Sequence, residues 1–151
     1  MTTIYLAGPL FCEPIQNWHR ATKARIIEQL TALGFYVEVI WPGELFSPEQ
    51  VEAWGEKAKF EIMQGCREAL DRCDLMVALL DGPQVDDGTA WEVGYAYAKG
   101  IRTVGIRTDF RKAGDVPGAV VNCMIDASCL AIYRSVEELL EAMANFLEGQ
   151  P

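Results

Sequence analysis

Short apolar runs alternate along the chain with longer stretches in which apolar residues recur every three to five positions. The short runs predict strands, and the longer periodic stretches predict helices with one buried face. The predicted strands cover residues 3–7, 35–41, 75–80, 101–107 and 129–133. The predicted helices cover residues 17–33, 47–72, 88–99 and 135–147. Gly55 and Gly65 leave open whether the second of these stretches is one long helix or two.

Local signals indicate where several of these elements begin and end. Gly8 and Pro9 end the first strand, because proline cannot donate to a strand ladder and glycine frees the backbone. Ser47 has the residue type that favours a helix N-cap, and Gly100 is typical of a C-terminal cap. The polar stretch 108–121 predicts a loop that is long enough to carry function.

The regular alternation of strands and helices predicts a single α/β domain over residues 1–151. Its sheet is expected to be five-stranded, parallel and doubly wound, with helices on both faces. In the strand order 2-1-3-4-5, the switch point falls between the first and third strands. Ligands bind open parallel sheets in the crevice at the carboxyl ends of such strands. We therefore expect the loop that begins at Gly8 to meet the acidic loop 81–92.

Carboxylates in this crevice carry the functional interpretation. The candidate polar residues are Tyr5, Asp81, Asp86, Asp87 and Glu92. Glu92 has two interpretations, because the segment Thr89-Ala90-Trp91-Glu92 also fits a capping box, in which the glutamate only closes the start of a helix. Asp86 and Asp87 are better N-cap residues, which favours a Glu92 side chain that points into the cleft.

Paired carboxylates of this kind suit cleavage at an anomeric carbon. One ionised carboxylate attacks or stabilises an oxocarbenium-like centre, while a second carboxyl group assists the leaving group. The crevice offers no histidine, no serine–histidine pair and no phosphate-binding lysine. The separation of Asp86 and Glu92 cannot be read from the sequence, since one lies on a loop and the other on a predicted helix.

The charge balance limits the partners of the chain. Its 13 basic and 22 acidic residues give a net charge of -9, which repels nucleic acid polymers and anionic membranes. No apolar stretch approaches the roughly 20 residues that span a bilayer, and the N-terminus lacks the pattern of a signal peptide. These features favour a cytoplasmic protein with a small-molecule ligand.

Cysteine and histidine usage gives no sign of a metal site or another cofactor. The cysteines are odd in number and lack C-x-x-C spacing, which predicts free, largely buried thiols in a reducing compartment. They are Cys12, Cys66, Cys73, Cys123 and Cys129. His19 is the only histidine, which argues against a metal centre.

Three motifs together carry a resemblance to a known family. They are Ile4-Tyr5-Leu6-Ala7-Gly8-Pro9-Leu10-Phe11, the segment Asp86-x-Gly88-Thr89-Ala90-x-Glu92-x-Gly94-Tyr95-Ala96, and Val121-Asn122-Cys123-Met124-Ile125. In this order and at these spacings, the chain resembles the nucleoside 2-deoxyribosyltransferase family over nearly its whole length. The resemblance implies a flavodoxin-like fold.

The resemblance also implies roles for particular residues. Glu92 matches the nucleophile that forms a covalent deoxyribosyl intermediate. Asp86 matches the aspartate that handles the nucleobase and its proton, and Tyr5 matches the tyrosine that holds the nucleophile in place. Asn122 and Met124 match residues that reach a neighbouring subunit's site near the sugar 5′-hydroxyl. The partners implied are a deoxynucleoside, a free nucleobase and further copies of the chain in a homo-oligomer with shared active sites.

Further residues around these motifs are predicted to bind the substrate. Gly8, Pro9 and Gly88 lie in the two loops that are expected to meet, and Trp91 adjoins the predicted nucleophile. Asp81 has two equal interpretations, as a substrate-binding residue and as a turn former in Asp-Gly-Pro.

The chain departs from the family pattern at Cys66. Family members commonly carry an aspartate eight residues before the position that matches Asp74, and Cys66 occupies that place. A thiol cannot replace a carboxylate that orients a sugar or supports acid catalysis.

Transfer of 2-deoxyribose between nucleobases is therefore the leading functional hypothesis. The first alternative is a nucleoside or nucleotide N-glycosidase, in which water resolves the intermediate at the same site. An alternative from a different class is a non-catalytic, nucleotide-sensing module of flavodoxin-like fold. The scarcity of basic residues near Gly8 argues against a 5′-phosphate on the substrate, although helix amides can bind phosphate without them.

Overall fold

The computed structural model of the chain describes residues 1–147. Its strands are β1 (Thr2–Ala7), β2 (Val37–Ile40), β3 (Leu75–Leu79), β4 (Arg102–Ile106) and β5 (Ala131–Tyr133). Its helices are α1 (Glu13–Ala32), α2 (Pro48–Trp54), α3 (Ala58–Asp71), α4 (Asp87–Lys99), α5 (Cys123–Asp126) and α6 (Val136–Leu147).

The five strands form one parallel sheet in the order β2-β1-β3-β4-β5, which confirms the predicted flavodoxin-like topology. β1 lies between β2 and β3, with Tyr5 opposite Ile40 on one side and Met76 on the other. The chain reverses its direction of winding between β1 and β3, so the carboxyl ends of these strands border the switch-point crevice.

The two faces of the sheet bury separate apolar cores because side chains alternate along each strand. Ile4 and Leu6 of β1 contribute to the core that includes residues of α1 and α6. Tyr5 and Ala7 contribute to the opposite core, which includes residues of α3 and α4. This alternation directs the Tyr5 side chain to the face on which the acidic loop and its helix lie.

The helix boundaries confirm several local signals and correct others. Ser47 caps α2 by accepting a hydrogen bond from the Gln50 amide, and Gly100 caps α4 with a left-handed φ of 72°. The first helix begins at Glu13, not at residue 17, because a proline in its first turn is compatible with a helix start. The stretch 47–72 is two helices, since Gly55 interrupts it with a φ of 52°.

The strands are shorter than predicted at several ends, and one helix lay inside a segment with no predicted element. β2 and β5 each begin two residues later than predicted, and β4 omits both predicted terminal residues. The loop before β5 leads into the four-residue helix α5, which is too short to show a period in the sequence.

The cysteines differ from the prediction in their burial. All five are free, but only Cys73 is buried, Cys12 is exposed, and the other three lie in between. The prediction of largely buried thiols was therefore wrong, because apolar neighbours in sequence do not bury a residue at a helix end or at a cavity wall. No helix within residues 1–147 is long and apolar enough to cross a membrane.

Candidate active site

The start of α4 fixes the position of Glu92. Asp86 is the N-cap, and its Oδ2 accepts hydrogen bonds from the Thr89 amide (3.0 Å) and the Thr89 hydroxyl (3.1 Å). The glutamate is thus not needed as a cap, and its side chain turns towards the sheet. There the Tyr5 hydroxyl donates a 2.6 Å hydrogen bond to Glu92 Oε1. The capping-box interpretation of Glu92 is wrong, and the preference for Asp86 as N-cap is confirmed.

The surroundings of Glu92 disfavour its charge. The pKa of its carboxyl group is raised to about 7, mainly by burial and also by the nearby charge of Asp86, against the hydrogen bond from Tyr5, which lowers it. Burial and the charge of Glu92 also raise the pKa of Tyr5 far above its usual value. Tyr5 therefore stays a neutral donor, and Glu92 is held near the point of ionisation at neutral pH.

A cavity of about 320 Å³ opens beside this pair, at the carboxyl ends of β1 and β3. Its polar side is formed by Asp86, Thr89 and Glu92 of the loop–helix junction. The rest of the lining is mostly apolar and comes from the loop after β1, the turn after β2 and the helices α2 and α3. These apolar lining residues include Leu10, Phe11, Phe46, Val51 and Ile62.

Cys66 lines this cavity next to the Tyr5–Glu92 pair. Its thiol lies close enough to Tyr5 for the two groups to influence each other, and burial raises the pKa of the thiol. The group is therefore a neutral thiol at physiological pH. The departure from the family pattern that the sequence indicated thus lies within the cavity itself.

The remaining predicted binding residues fall into two groups. Gly8 and Gly88 line the cavity, as the meeting of the two loops requires. Pro9, Asp81 and Trp91 do not line it. Asp81 instead accepts hydrogen bonds from the backbone amides of residues 108 (2.7 Å) and 109 (3.0 Å), which fits its alternative interpretation as a turn former. Trp91 is 42% exposed and stacks on Tyr95.

Asn122 and Met124 lie away from this cavity within one chain. Asn122 caps α5 by accepting a 3.1 Å hydrogen bond from the Met124 amide. Met124 is 74% exposed and lines a second cavity, of about 340 Å³, between α4 and α5. Their predicted contact with a neighbouring subunit stays a prediction.

Arg107 was not singled out from the sequence, although it organises the loop after β3. Its side chain is 1% exposed and donates hydrogen bonds to the carbonyl groups of Leu80 (2.5 Å), Gly82 (3.1 Å) and Arg111 (3.0 Å). A buried guanidinium that joins three carbonyls restrains the loop that leads to Asp86. The sequence signal was weak, since an arginine at a strand end is usually exposed.

No group of three or more potential metal ligands occurs among residues 1–147. The arrangement instead offers a carboxylate poised near neutral pH, a second carboxylate and an adjoining, mostly apolar cavity. Such a site is suited to general acid–base or nucleophilic chemistry on a small, flat, uncharged molecule.

Comparison with known proteins decides the family. The model of the family described as nucleoside 2-deoxyribosyltransferase matches residues 4–124, which is most of the chain. The chain belongs to the nucleoside 2-deoxyribosyltransferase family. The match includes Tyr5, Asp86 and Glu92, the residues that adjoin or line the cavity. No curated protein sequence is significantly similar to the chain.

Solved structures share the fold of this family member. A conserved protein from Enterococcus faecalis V583 is 26% identical, with a TM-score of 0.71 over 97% of this chain and 99% of that one. A 2-deoxyribosyltransferase from Bacillus psychrosaccharolyticus is 24% identical, with a TM-score of 0.71 over 92% of this chain and 90% of that one. The CMP N-glycosidase BcmB from Clostridium botulinum is 20% identical, with a TM-score of 0.56 over 96% of this chain and 99% of that one.

Proposed function

We propose that the chain transfers 2-deoxyribose between nucleobases by double displacement at C1′. The observation that carries this proposal is the 2.6 Å hydrogen bond from the Tyr5 hydroxyl to Glu92 Oε1 at the edge of the cavity. This bond holds one oxygen of the carboxylate and fixes the orientation of the other. A fixed carboxylate beside a cavity of nucleoside size has the geometry that nucleophilic catalysis requires.

In the first step, ionised Glu92 attacks C1′, and the bond between C1′ and the base nitrogen breaks. The leaving base takes the electron pair of that bond and gains a proton. Asp86 lines the same cavity and is the proposed donor or relay of this proton. In the second step, a nitrogen of the acceptor base attacks C1′ and loses its proton, and the Glu92 carboxylate is released.

The pKa of Glu92 near 7 fits the reversible nature of this step. A carboxylate that is costly to keep ionised gains more from bond formation to C1′ than a fully hydrated one does. The same cost makes Glu92 a poorer leaving group in the second step, so the returning charge needs stabilisation. The Tyr5 hydroxyl stabilises the charge as it returns to Glu92.

The lining of the cavity favours an unphosphorylated nucleoside. None of the lining residues within the described part of the chain is lysine or arginine, while Asp86 and Glu92 are both acidic. A 5′-phosphate would meet two carboxylates without a compensating cation. The apolar side chains of Phe11, Phe46 and Ile62 suit the flat face of a nucleobase.

We also propose that the working enzyme is a homo-oligomer in which Asn122 and Met124 complete a neighbouring site. The exposure of Met124 and the absence of both residues from the lining of the chain's own cavity support this arrangement. Mixing two inactive variants, Glu92→Gln and Met124→Asp, tests it. If sites are shared, mixed oligomers regain part of the activity, whereas separate sites give none.

Incubation of the protein with deoxyinosine, with and without adenine, tests the reaction. Transferase activity gives deoxyadenosine and hypoxanthine only when adenine is present. Free deoxyribose without base exchange rejects transfer in favour of N-glycoside hydrolysis. Nucleoside binding without any turnover supports the non-catalytic alternative. Glu92→Gln is expected to lose activity, and Glu141→Gln on the exposed face of α6 is the matched control that keeps it.

A further inference from the structure

The only histidine of the chain is buried directly behind the candidate active site. His19 lies on α1 and has no exposed surface. Its Nε2 atom is 3.1 Å from the Pro9 carbonyl oxygen, in the loop that follows β1. A carbonyl oxygen only accepts, so Nε2 carries the proton and the imidazole is the donor.

The imidazole also packs tightly against Gly8, which lines the cavity. A Cβ atom at position 8 would come within 2.6 Å of His19 Cε1 and 2.7 Å of its Nε2. Real Cβ contacts do not reach such distances, so the ring occupies the space that any side chain at this position would need. The ring therefore defines how far the loop after β1 can move back from the cavity.

On its other side, His19 reaches the turn after β2 through Trp41. The two rings are stacked, with centroids 5.5 Å apart and planes inclined by 19°. Trp41 is 2% exposed, and a Cβ atom at Gly43 would approach its ring to 2.4 Å. Gly43, like Gly8, lines the cavity. One stack of two rings thus sets the positions of two glycine-containing segments of the cavity wall.

We propose that His19 is a positioning residue, whose imidazole holds the segments after β1 and β2 in the places that nucleoside binding requires. This inference rests on the proposed function, because the cavity is taken as the nucleoside site. His19 does not line the cavity, so it acts only through the residues that do.

The electrostatics of His19 support a neutral ring. Burial lowers its pKa to about 4, against the smaller opposing effect of the Pro9 carbonyl. Within the described part of the chain, Nδ1 is buried without a hydrogen-bond partner. A proton at Nδ1 would have no acceptor there. The neutral ring that carries its proton on Nε2 is therefore favoured throughout the neutral range.

Two substitutions separate positioning from simple stability. His19→Leu removes the donor and the flat ring, and we expect the KM for deoxynucleoside to rise about tenfold with a smaller change in kcat. His19→Gln keeps an N–H donor near the place of Nε2, so its KM should stay within about threefold of wild type. Met143→Ala, in the core that α6 shares with α1 on the sheet face opposite Tyr5, is the control that lowers stability without raising KM.

NMR of the single imidazole provides a measurement that does not depend on turnover. We expect the neutral Nε2–H tautomer at pH 7 and a titration midpoint well below the ordinary value of 6.5. The Nδ1–H tautomer, or a midpoint near 6.5, would overturn the proposal. Because it uses the wild-type protein, this measurement still tests the proposal if His19→Leu does not fold.

The kinetic results distinguish the failure of this proposal from the failure of the proposed function. An active wild type whose KM is unchanged by His19→Leu overturns the positioning role and leaves the function standing. A wild type that turns over no nucleoside overturns the proposed function instead. The proposal for His19 is then tested by the tautomer and titration midpoint that NMR measures. A rise in KM that His19→Gln does not rescue also contradicts the donor role.

Discussion

Glu92→Gln is expected to stabilise the fold at neutral and alkaline pH while abolishing activity. The substitution keeps the size of the side chain and an oxygen that accepts the Tyr5 hydrogen bond. It removes only the charge, which burial and the Asp86 carboxylate disfavour in the folded state. A group that serves chemistry at the expense of stability should show this behaviour.

The magnitude follows from the pKa of Glu92. A rise from the ordinary value of 4.5 to about 7 corresponds to about 3 kcal/mol of destabilisation once the carboxyl group is ionised. Glu92 also borders an open cavity, where water screens its charge. We therefore expect the variant to exceed wild type by about 1–2 kcal/mol in free energy of unfolding above pH 7.

The pH dependence has a definite sign. Below about pH 4.5 the carboxyl group is protonated in the folded and unfolded states, and it imposes no such cost. Between about pH 4.5 and pH 7 the folded state binds the proton more tightly, so the wild type loses stability relative to Glu92→Gln as the pH rises. Above about pH 7 the difference in stability between the two proteins is constant. The buried thiol of Cys73 does not disturb the comparison, because its pKa of about 11 lies outside this window.

Urea unfolding of both proteins across about pH 5 to 8 measures this difference. Glu141→Gln serves as the control and should track the wild type at every pH. A difference between wild type and Glu92→Gln that stays flat across the window would refute the reasoning. So would a wild type that becomes the more stable of the two as the pH rises.

Three further substitutions test other parts of the site. Tyr5→Phe removes the donor that lowers the pKa of Glu92, so the acid limb of the pH–rate profile should move above about pH 7, and an unmoved limb contradicts this. Arg107→Met leaves three carbonyls without their donor and should cost about 2 kcal/mol in urea unfolding, whereas no loss contradicts the loop restraint. Gly65→Ala brings a Cβ within 2.3 Å of the Phe46 ring and should raise KM with little change in unfolding free energy, and an unchanged KM contradicts this.

The strand order and the place of the site could be predicted because they depend on local pattern and on general rules. Unbroken apolar character marked β3 as a buried strand, and its acidic loop could then be placed at the switch point with the loop after β1. Asp86 could be preferred as N-cap over Thr89 from residue type alone. That preference left Glu92 free to act, as its hydrogen bond to Tyr5 now supports.

The rest depends on contacts that the sequence does not contain. The imidazole of His19 gains its place only because α1 packs against the turn after β2. Arg107 finds two of its three carbonyls 25 and 27 residues away in sequence. Asp81 and Glu92 are both carboxylates near β3, but the polar backbone of residues 108 and 109 holds the first away from the cavity. Proximity in sequence could not separate the two.

Intact-protein mass spectrometry after rapid mixing with a deoxynucleoside tests the central claim most directly, namely that Glu92 attacks C1′. The account predicts a wild-type species heavier by one deoxyribosyl group, with the added mass on the peptide that contains Glu92. The same experiment with Glu92→Gln should give no such species. An adduct on another residue, or an equal adduct in the variant, would contradict the account.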